Sequence, residues 1–281
     1  MIFCARQFKF VFPRPALVMG IVNVTPDSFA DGGKFFETEA AVTHALKLVA
    51  QGAGILDIGG ESTRPGAKPV SEAEELRRVI PVIEKLASQV KIPISIDTMK
   101  PAVARAALAA GASIVNDVSA DRDHDLLWKA VSDFQAGYIC MHAPSQPPGL
   151  PENPVYSDVV RDVGEFFQEQ LGNLLNRIGV TPDQVVLDVG IGFGKTLEHN
   201  LQLLANVRSF TKLRRPLLIG VSRKSFIKKL LGTEVDERLP ASLACASLAV
   251  QSGVQIIRTH DVAETVQAVR MMEALLAQAK K

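Results

Sequence analysis

The chain has 281 residues, 31 Lys and Arg against 30 Asp and Glu, a formal net charge of +1 and 47% hydrophobic residues. That composition excludes an intrinsically disordered chain, and the even charge argues against an electrostatic nucleic-acid binder, which would be clearly basic. The length suits a single α/β barrel of roughly 250 residues, with a core large enough to need no disulfide or metal staple.

Residues 1–15 alternate apolar Phe3, Phe8, Phe10 and Phe12 with basic Arg6, Lys9 and Arg14. This pattern predicts an N-terminal strand or hairpin extension, not a signal peptide with its unbroken apolar stretch. The cytoplasm is therefore the expected address. No apolar run reaches the roughly 18–20 residues of a membrane span.

From residue 16 a single unit repeats: a short apolar run, a polar loop, then a helical segment. Strands are expected at 16–23, 54–59, 92–97, 113–117, 136–141, 184–188, 217–221 and 255–258. Such short continuous apolar runs suit parallel strands buried on both faces. Helical spacing is found at 40–51, 72–89, 101–110, 125–134, 157–178, 200–210, 241–251 and 263–279. Ser71 stands three residues before Glu74 as in a capping box, and Pro101 fits a first helical turn. Gly52, Gly111, Gly179 and Gly253 each sit where a helix would close. Eight units without a linker predict a (β/α)8 barrel over 16–281 as one domain, with an open doubly wound sheet as the alternative. Cys4, Cys140 and Cys245 are far apart in apolar surroundings, as reduced buried thiols would be.

Barrel enzymes place their chemistry at the C-terminal ends of the strands. Those ends carry Asn23, Glu61 to Arg64, Asp97, Asn116 with Asp117, His142, Asp188, Ser222 with Arg223 and Lys224, and Arg258 with His260. Asp97 and Asp188 directly follow apolar runs, so they are expected to be partly buried and to need donors. Capping or an internal ion pair would satisfy them. So would a ligand edge presenting paired N–H groups, as an aminopyrimidinone does. Arg64, Arg223, Lys224, Arg258 and His260 form a cationic set, either a solvated rim or a clamp for phosphate or carboxylate. Gly190-Ile-Gly-Phe-Gly-Lys-Thr196 ends like a P-loop, but the required first glycine is replaced by Val189, and a dinucleotide fingerprint fails at Lys195. The five histidines, His44, His124, His142, His199 and His260, have no metal-ligand spacing.

At these same strand ends the chain resembles the dihydropteroate synthase family of folate biosynthesis, which sulfonamides target. The resemblance is carried by Met19-Gly-Ile-Val-Asn-Val-Thr-Pro-Asp-Ser-Phe-Ala-Asp-Gly-Gly33 and by Gly54-Ile-Leu-Asp-Ile-Gly-Gly-Glu-Ser-Thr-Arg-Pro-Gly66. It continues through Ile94-Ser-Ile-Asp-Thr98, Ile114-Val-Asn-Asp-Val118, the 190–196 glycine loop, Ser222-Arg-Lys-Ser225 and Arg258-Thr-His-Asp-Val262. It implies a (β/α)8 barrel, usually dimeric, that joins 6-hydroxymethyl-7,8-dihydropterin pyrophosphate to p-aminobenzoate. Pyrophosphate leaves, and an SN1-like route runs through a pterin-stabilised cation. The implied pterin site is Asp97, Asn116 and Asp188 on the ring edge and Lys224 at the ring carbonyl, with Phe193 and Met141 around the ring. Asn23, Arg258 and His260 are implied for pyrophosphate, with Asn23 helping to hold Mg2+. Thr63, Arg64 and Pro65, with Phe29, are implied on the p-aminobenzoate side, with Ser222 near its carboxylate.

Two places depart from the family pattern. Asp188-Val-Gly190 stands where Asp-Pro-Gly is common, and Met141-His142 runs into Ala143-Pro-Ser-Gln-Pro147 rather than Gly-Thr-Pro. A pterin-binding methyltransferase domain would share the barrel and pocket. It would lack the Ser62-Thr-Arg-Pro65 and Ser222-Arg-Lys-Ser225 motifs. A silent pterin-binding homologue is the non-enzymatic alternative, which the intact polar strand ends oppose.

Overall fold

The structure, a computed structural model, describes residues 1–25, 34–62, 69–119, 124–145 and 154–279, with the backbone alone for 34–37. It opens with an antiparallel hairpin, β1 (Ile2–Ala5) and β2 (Phe8–Val11). The eight strands that follow are β3 (Leu17–Asn23), β4 (Ile55–Gly59), β5 (Ile94–Asp97), β6 (Ile114–Asp117), β7 (Gly137–Met141), β8 (Val185–Asp188), β9 (Leu217–Gly220) and β10 (Ile256–Thr259). They pair in parallel and in chain order, and β10 pairs back onto β3, so the barrel is closed and the open-sheet alternative is excluded.

The helices are α1 (Lys34–Ala50), α2 (Glu72–Ala87), α3 (Pro101–Ala110), α4 (Asp125–Asp133), α5 (Val159–Asn173), α6 (Leu197–Ala205), α7 (Ser225–Leu231), α8 (Leu239–Gln251) and α9 (Val262–Ala279). The expected helices are all present, with shifted ends. The 157–178 segment finishes in a π turn at Leu174–Ile178, and the 200–210 segment divides into α6 and a 3-10 stretch at Val207–Leu213. α7 was not expected, because seven residues hold too few turns for a periodic pattern to register. Only half of the capping box forms. Ser71 accepts the Glu74 N–H, but the Glu74 carboxylate is taken by Arg77 and Arg78. Gly52, Gly111, Gly179 and Gly253 all adopt the positive φ their positions require.

Strand alternation sorts the barrel's side chains into two populations. Val18, Val22, Leu56, Ile58, Ile96, Val115, Leu187, Ile219 and Ile257 face outward into the helix layer. Met19, Ile55, Ile114, Ile139, Val186, Leu218 and Ile256 face inward and fill the lower barrel. Phe3, Ala5, Phe10 and Phe12 of the hairpin pack against this inner set from below. A Cβ on Gly137 would lie 2.6 Å from the Phe3 ring, so β7 begins with a residue that leaves room for it. Arg6 pins the hairpin turn by donating to the carbonyls of Leu108 and Ala112, each at 2.8 Å.

The same alternation separates Asn116 from Asp117. Asp117 faces outward, where its Oδ2 accepts the Tyr138 hydroxyl at 2.7 Å while Trp128 donates to that hydroxyl at 3.0 Å. His124 Nδ1 lies 3.4 Å from the same oxygen. Asp117 is thus committed to the helix layer and not to the barrel mouth. Replacing Tyr138 by Phe strands the buried Trp128 N–H and removes a donor from Asp117. We expect a loss of about 1–3 kcal/mol in denaturant unfolding, the usual cost of leaving a buried polar group unmatched. Turnover should be unchanged.

Candidate active site

The inward positions one layer above the apolar floor are polar. Asp57, Asp97, Asn116, Asp188 and Arg258 project there from β4, β5, β6, β8 and β10. Their register makes them neighbours: Gly59 pairs with Asp97 and Asp97 with Asn116 across adjacent strands, and Met141 pairs with Asp188.

Arg258 is the centre of this layer. Its Nε donates to Asp57 Oδ2 at 2.6 Å and its Nη2 to Asp97 Oδ2 at 2.6 Å. Asn116 Nδ2 donates to the same Asp57 oxygen at 3.0 Å. Nη1 of Arg258 has no hydrogen-bond partner among the described residues, so the guanidinium keeps donors for a further anion. Burial works against its charge, but Asp57 and Asp97 hold it even more firmly protonated than a free arginine. Burial pushes Asp97 up to about 7, against the pull of Arg258.

Asp57 is the residue the sequence reading missed. It is fully buried, and its Oδ1 has no partner among the described residues. Its only sequence signal is a carboxylate in the middle of an apolar strand rather than at its end.

On the opposite side of the mouth, Asp188 Oδ1 accepts the Gly190 N–H at 2.8 Å. Burial raises its carboxyl, opposed first by Lys224, then by that N–H, Arg258 and Lys195. The Lys224 ammonium donates to the Ile191 carbonyl and lies 4.8 Å from the centre of the Phe193 ring. Burial draws it down to about 8. Met141 packs with Val118 and Ala143, and Phe193 and Met99 lie against them, forming an apolar wall beside the carboxylates. Val189 turns away into the main core, so the side chain standing in place of proline contributes packing rather than a ligand contact.

Ser222 and His260 meet across β9 and β10, with Oγ and Nδ1 3.0 Å apart and the His260 N–H donating to Oγ at 3.2 Å. Arg223 leaves the site. Its backbone turns at φ 55° and its guanidinium pairs with Asp261. Its place in the cationic set is therefore corrected to an ion pair outside the mouth. Asn23 ends β3 half-buried, on the strand adjacent to β10. Glu61 accepts the Val70 N–H at 3.2 Å with one oxygen and the Lys100 ammonium with the other. Phe29, Thr63, Arg64 and Pro65 lie outside the described residues. So does most of the atypical stretch after Ser145.

Among the described residues no group of three or more His, Cys, Asp or Glu could hold a metal ion. No helix there is long and apolar enough to cross a membrane.

A carboxylate pair, an amide and a lysine converging beside an apolar wall make a site for a flat, nitrogen-rich ring. Residues 19–260 match the family model described as pterin binding enzyme. Dihydropteroate synthase of Escherichia coli K12 is 46% identical over 260 residues, covering 92% of each chain. The Xanthomonas albilineans dihydropteroate synthase structure with 4-aminobenzoic acid superposes with a TM-score of 0.90 at 45% identity, covering 98% of each chain. That of Yersinia pestis with a sulfonamide drug has a TM-score of 0.91 at 42% identity, covering 99% of this chain and 100% of the other. The chain belongs to the dihydropteroate synthase family.

Proposed function

We propose that this synthase joins 6-hydroxymethyl-7,8-dihydropterin pyrophosphate to p-aminobenzoate by an SN1-like route, with Mg2+ bound alongside the pyrophosphate. The observation that carries this reading is the convergence of Asp97, Asn116, Asp188 and Lys224 beside Met141 and Phe193. The carboxylates accept the ring's N–H groups and Lys224 donates to its carbonyl. When the bond from the exocyclic CH2 carbon to the pyrophosphate oxygen breaks, both electrons leave with oxygen and the carbon becomes cationic. Asp97 and Asp188, in their ionised forms, set negative charge beside the ring that carries this charge, as preorganised electrostatic stabilisation requires. The amine nitrogen then bonds to the carbon and loses a proton. Water must be kept out, since it would consume the cation.

Arg258, with Nη1 unspent, and His260 serve the departing pyrophosphate. A lone amide oxygen on Asn23 fits an ion held mainly by phosphate oxygens and water, the usual habit of Mg2+, and does not fit a metal held by protein alone. Mg2+ would supply charge neutralisation there. Ser222 faces the p-aminobenzoate carboxylate, and the 63–65 stretch with Phe29 completes that side. We place the enzyme in the cytoplasm as a homodimer.

The test is purified protein with both substrates, Mg2+ and mass-spectrometric detection of dihydropteroate. Product that requires both substrates and falls on adding EDTA is expected, as is competition by a sulfonamide against p-aminobenzoate. Absence of product with a folded protein would favour the methyltransferase or silent readings.

The pH dependence follows from the two ends of the site. Below about 7 Asp97 takes up a proton and loses an acceptor. Above about 8 Lys224 loses its charge. kcat/KM for the pterin substrate, which reports the free enzyme, is expected to peak in the narrow interval between them. A flat profile from pH 6 to 9 would remove both groups from pterin recognition.

A further inference from the structure

The glycine loop contains a charged group that the reaction described above does not use. Lys195, the residue that made this loop look like a P-loop, is buried. Its ammonium points back into its own loop, toward the carbonyls of Gly190 at 2.9 Å, His142 at 3.0 Å and Phe193 at 3.1 Å. Among the described residues none of its hydrogen bonds goes to a carboxylate.

The loop is built around that ammonium. Gly190, Gly192 and Gly194 all have positive φ, 67°, 83° and 52°. These turns bring the Gly190 and Phe193 carbonyls onto one Nζ. A Cβ on Gly190 would lie 2.0 Å from the His142 oxygen, so the loop lies directly against the end of β7. Asn200 locks the outer side, accepting the Gly192 N–H at 2.7 Å and donating to the Thr196 carbonyl at 2.7 Å. Two site features hang on this arrangement: the Phe193 ring, and the Ile191 carbonyl that accepts from Lys224.

We propose that Lys195 is a positioning residue whose ammonium, by tying the His142, Gly190 and Phe193 carbonyls together, sets the Phe193 ring and Lys224 against the pterin. The proposal rests on the pterin reading given above. A buried lysine is costly unless its donors are matched. Three carbonyl oxygens match it fully, and an apolar side chain in its place would withdraw a donor from each of them. The Gly190 carbonyl also accepts the Phe193 N–H. Burial brings Lys195 down to about 7, opposed by Asp188 and assisted by Lys224. Its charge therefore also bears on the carboxylate that meets the ring.

Lys195→Met keeps the length and removes every donor, while Lys195→Gln keeps two. In steady-state assays the Met variant is expected to raise KM for the pterin pyrophosphate at least tenfold and to leave KM for p-aminobenzoate within twofold. The Gln variant should fall between Met and wild type. Hydrogen exchange at the Gly192 and Phe193 amides should be at least tenfold faster in the Met variant. Wild-type KM and wild-type exchange in that variant would overturn the proposal. So would an equal rise in both KM values together with a lowered Tm, which is what a purely structural lysine would produce. If the Met variant does not fold, the Gln variant is read by the same two criteria. A wild-type enzyme that binds no pterin would sink the pterin reading instead, and the exchange measurement would still decide whether Lys195 holds the loop.

Discussion

Arg258→Ala is expected to lower kcat/KM for the pterin pyrophosphate by about two to three orders of magnitude, the range seen when one preorganised donor to a developing anion is removed. Two losses combine. The first is Nη1, the donor left over for the leaving group after Nε and Nη2 are committed to Asp57 and Asp97. The second is the positive charge that holds Asp97 down against its burial. Without that charge Asp97 protonates at still higher pH, so the acid limb of the profile should move to alkaline values. In calorimetry, wild type should bind pyrophosphate more tightly with Mg2+ than without, and the variant should lose that gain. Unphosphorylated pterin should still bind above the shifted limb. A variant that loses bare pterin at every pH and keeps the Mg2+-dependent gain would reverse the assignment of the β10 end.

Asp188→Asn should have the next largest effect, on the pterin and not on the fold. The carboxylate accepts from Gly190 and carries the charge that Lys224 and Lys195 both feel. An amide there turns one acceptor into a donor facing other donors. Mismatching a buried group costs about 1–3 kcal/mol, and more where a charge was involved. We expect at least a tenfold to hundredfold weaker pterin complex by calorimetry and an unfolding transition close to wild type. The basicity of Lys224 should drop with its counter-charge gone, drawing in the alkaline limb. Near-normal pterin affinity would take Asp188 out of ring recognition.

The barrel was readable from sequence because parallel strands buried on both faces announce themselves as short apolar runs. Closure was not readable in the same way: an open doubly wound sheet shows the same alternation, and the pairing of β10 with β3 is what excludes it. The site was readable where its polar groups lie at a strand's end or one residue before it, as Asp97, Asn116, Asp188 and Arg258 do. It was unreadable where direction decides. Arg223 and Lys224 are consecutive residues of one motif, yet the backbone turn at Arg223 sends one to Asp261 and the other to the pterin wall. Asp57 lies two residues inside β4, where a list of strand ends passes over it. Only the pairing of Ile21 with Asp57 and of Asp57 with Ser95 fixes its height in the barrel. Lys195 was visible only as a failed P-loop match, since its partners are main-chain carbonyls that no residue type reveals.

The hairpin beneath the barrel has a consequence for biosynthesis. Phe3, Phe10 and Phe12 are made before the barrel strands, yet their seat includes Ile256 of the last strand. At about 5–20 residues per second, those aromatic rings wait roughly 12 to 50 seconds before their last contact exists. Until then the hairpin's aromatic face is incompletely covered, the kind of surface that holdase chaperones recognise. The final barrel strand thus completes two structures at once: it shuts the ring of hydrogen bonds, and it finishes the apolar seat on which the hairpin docks.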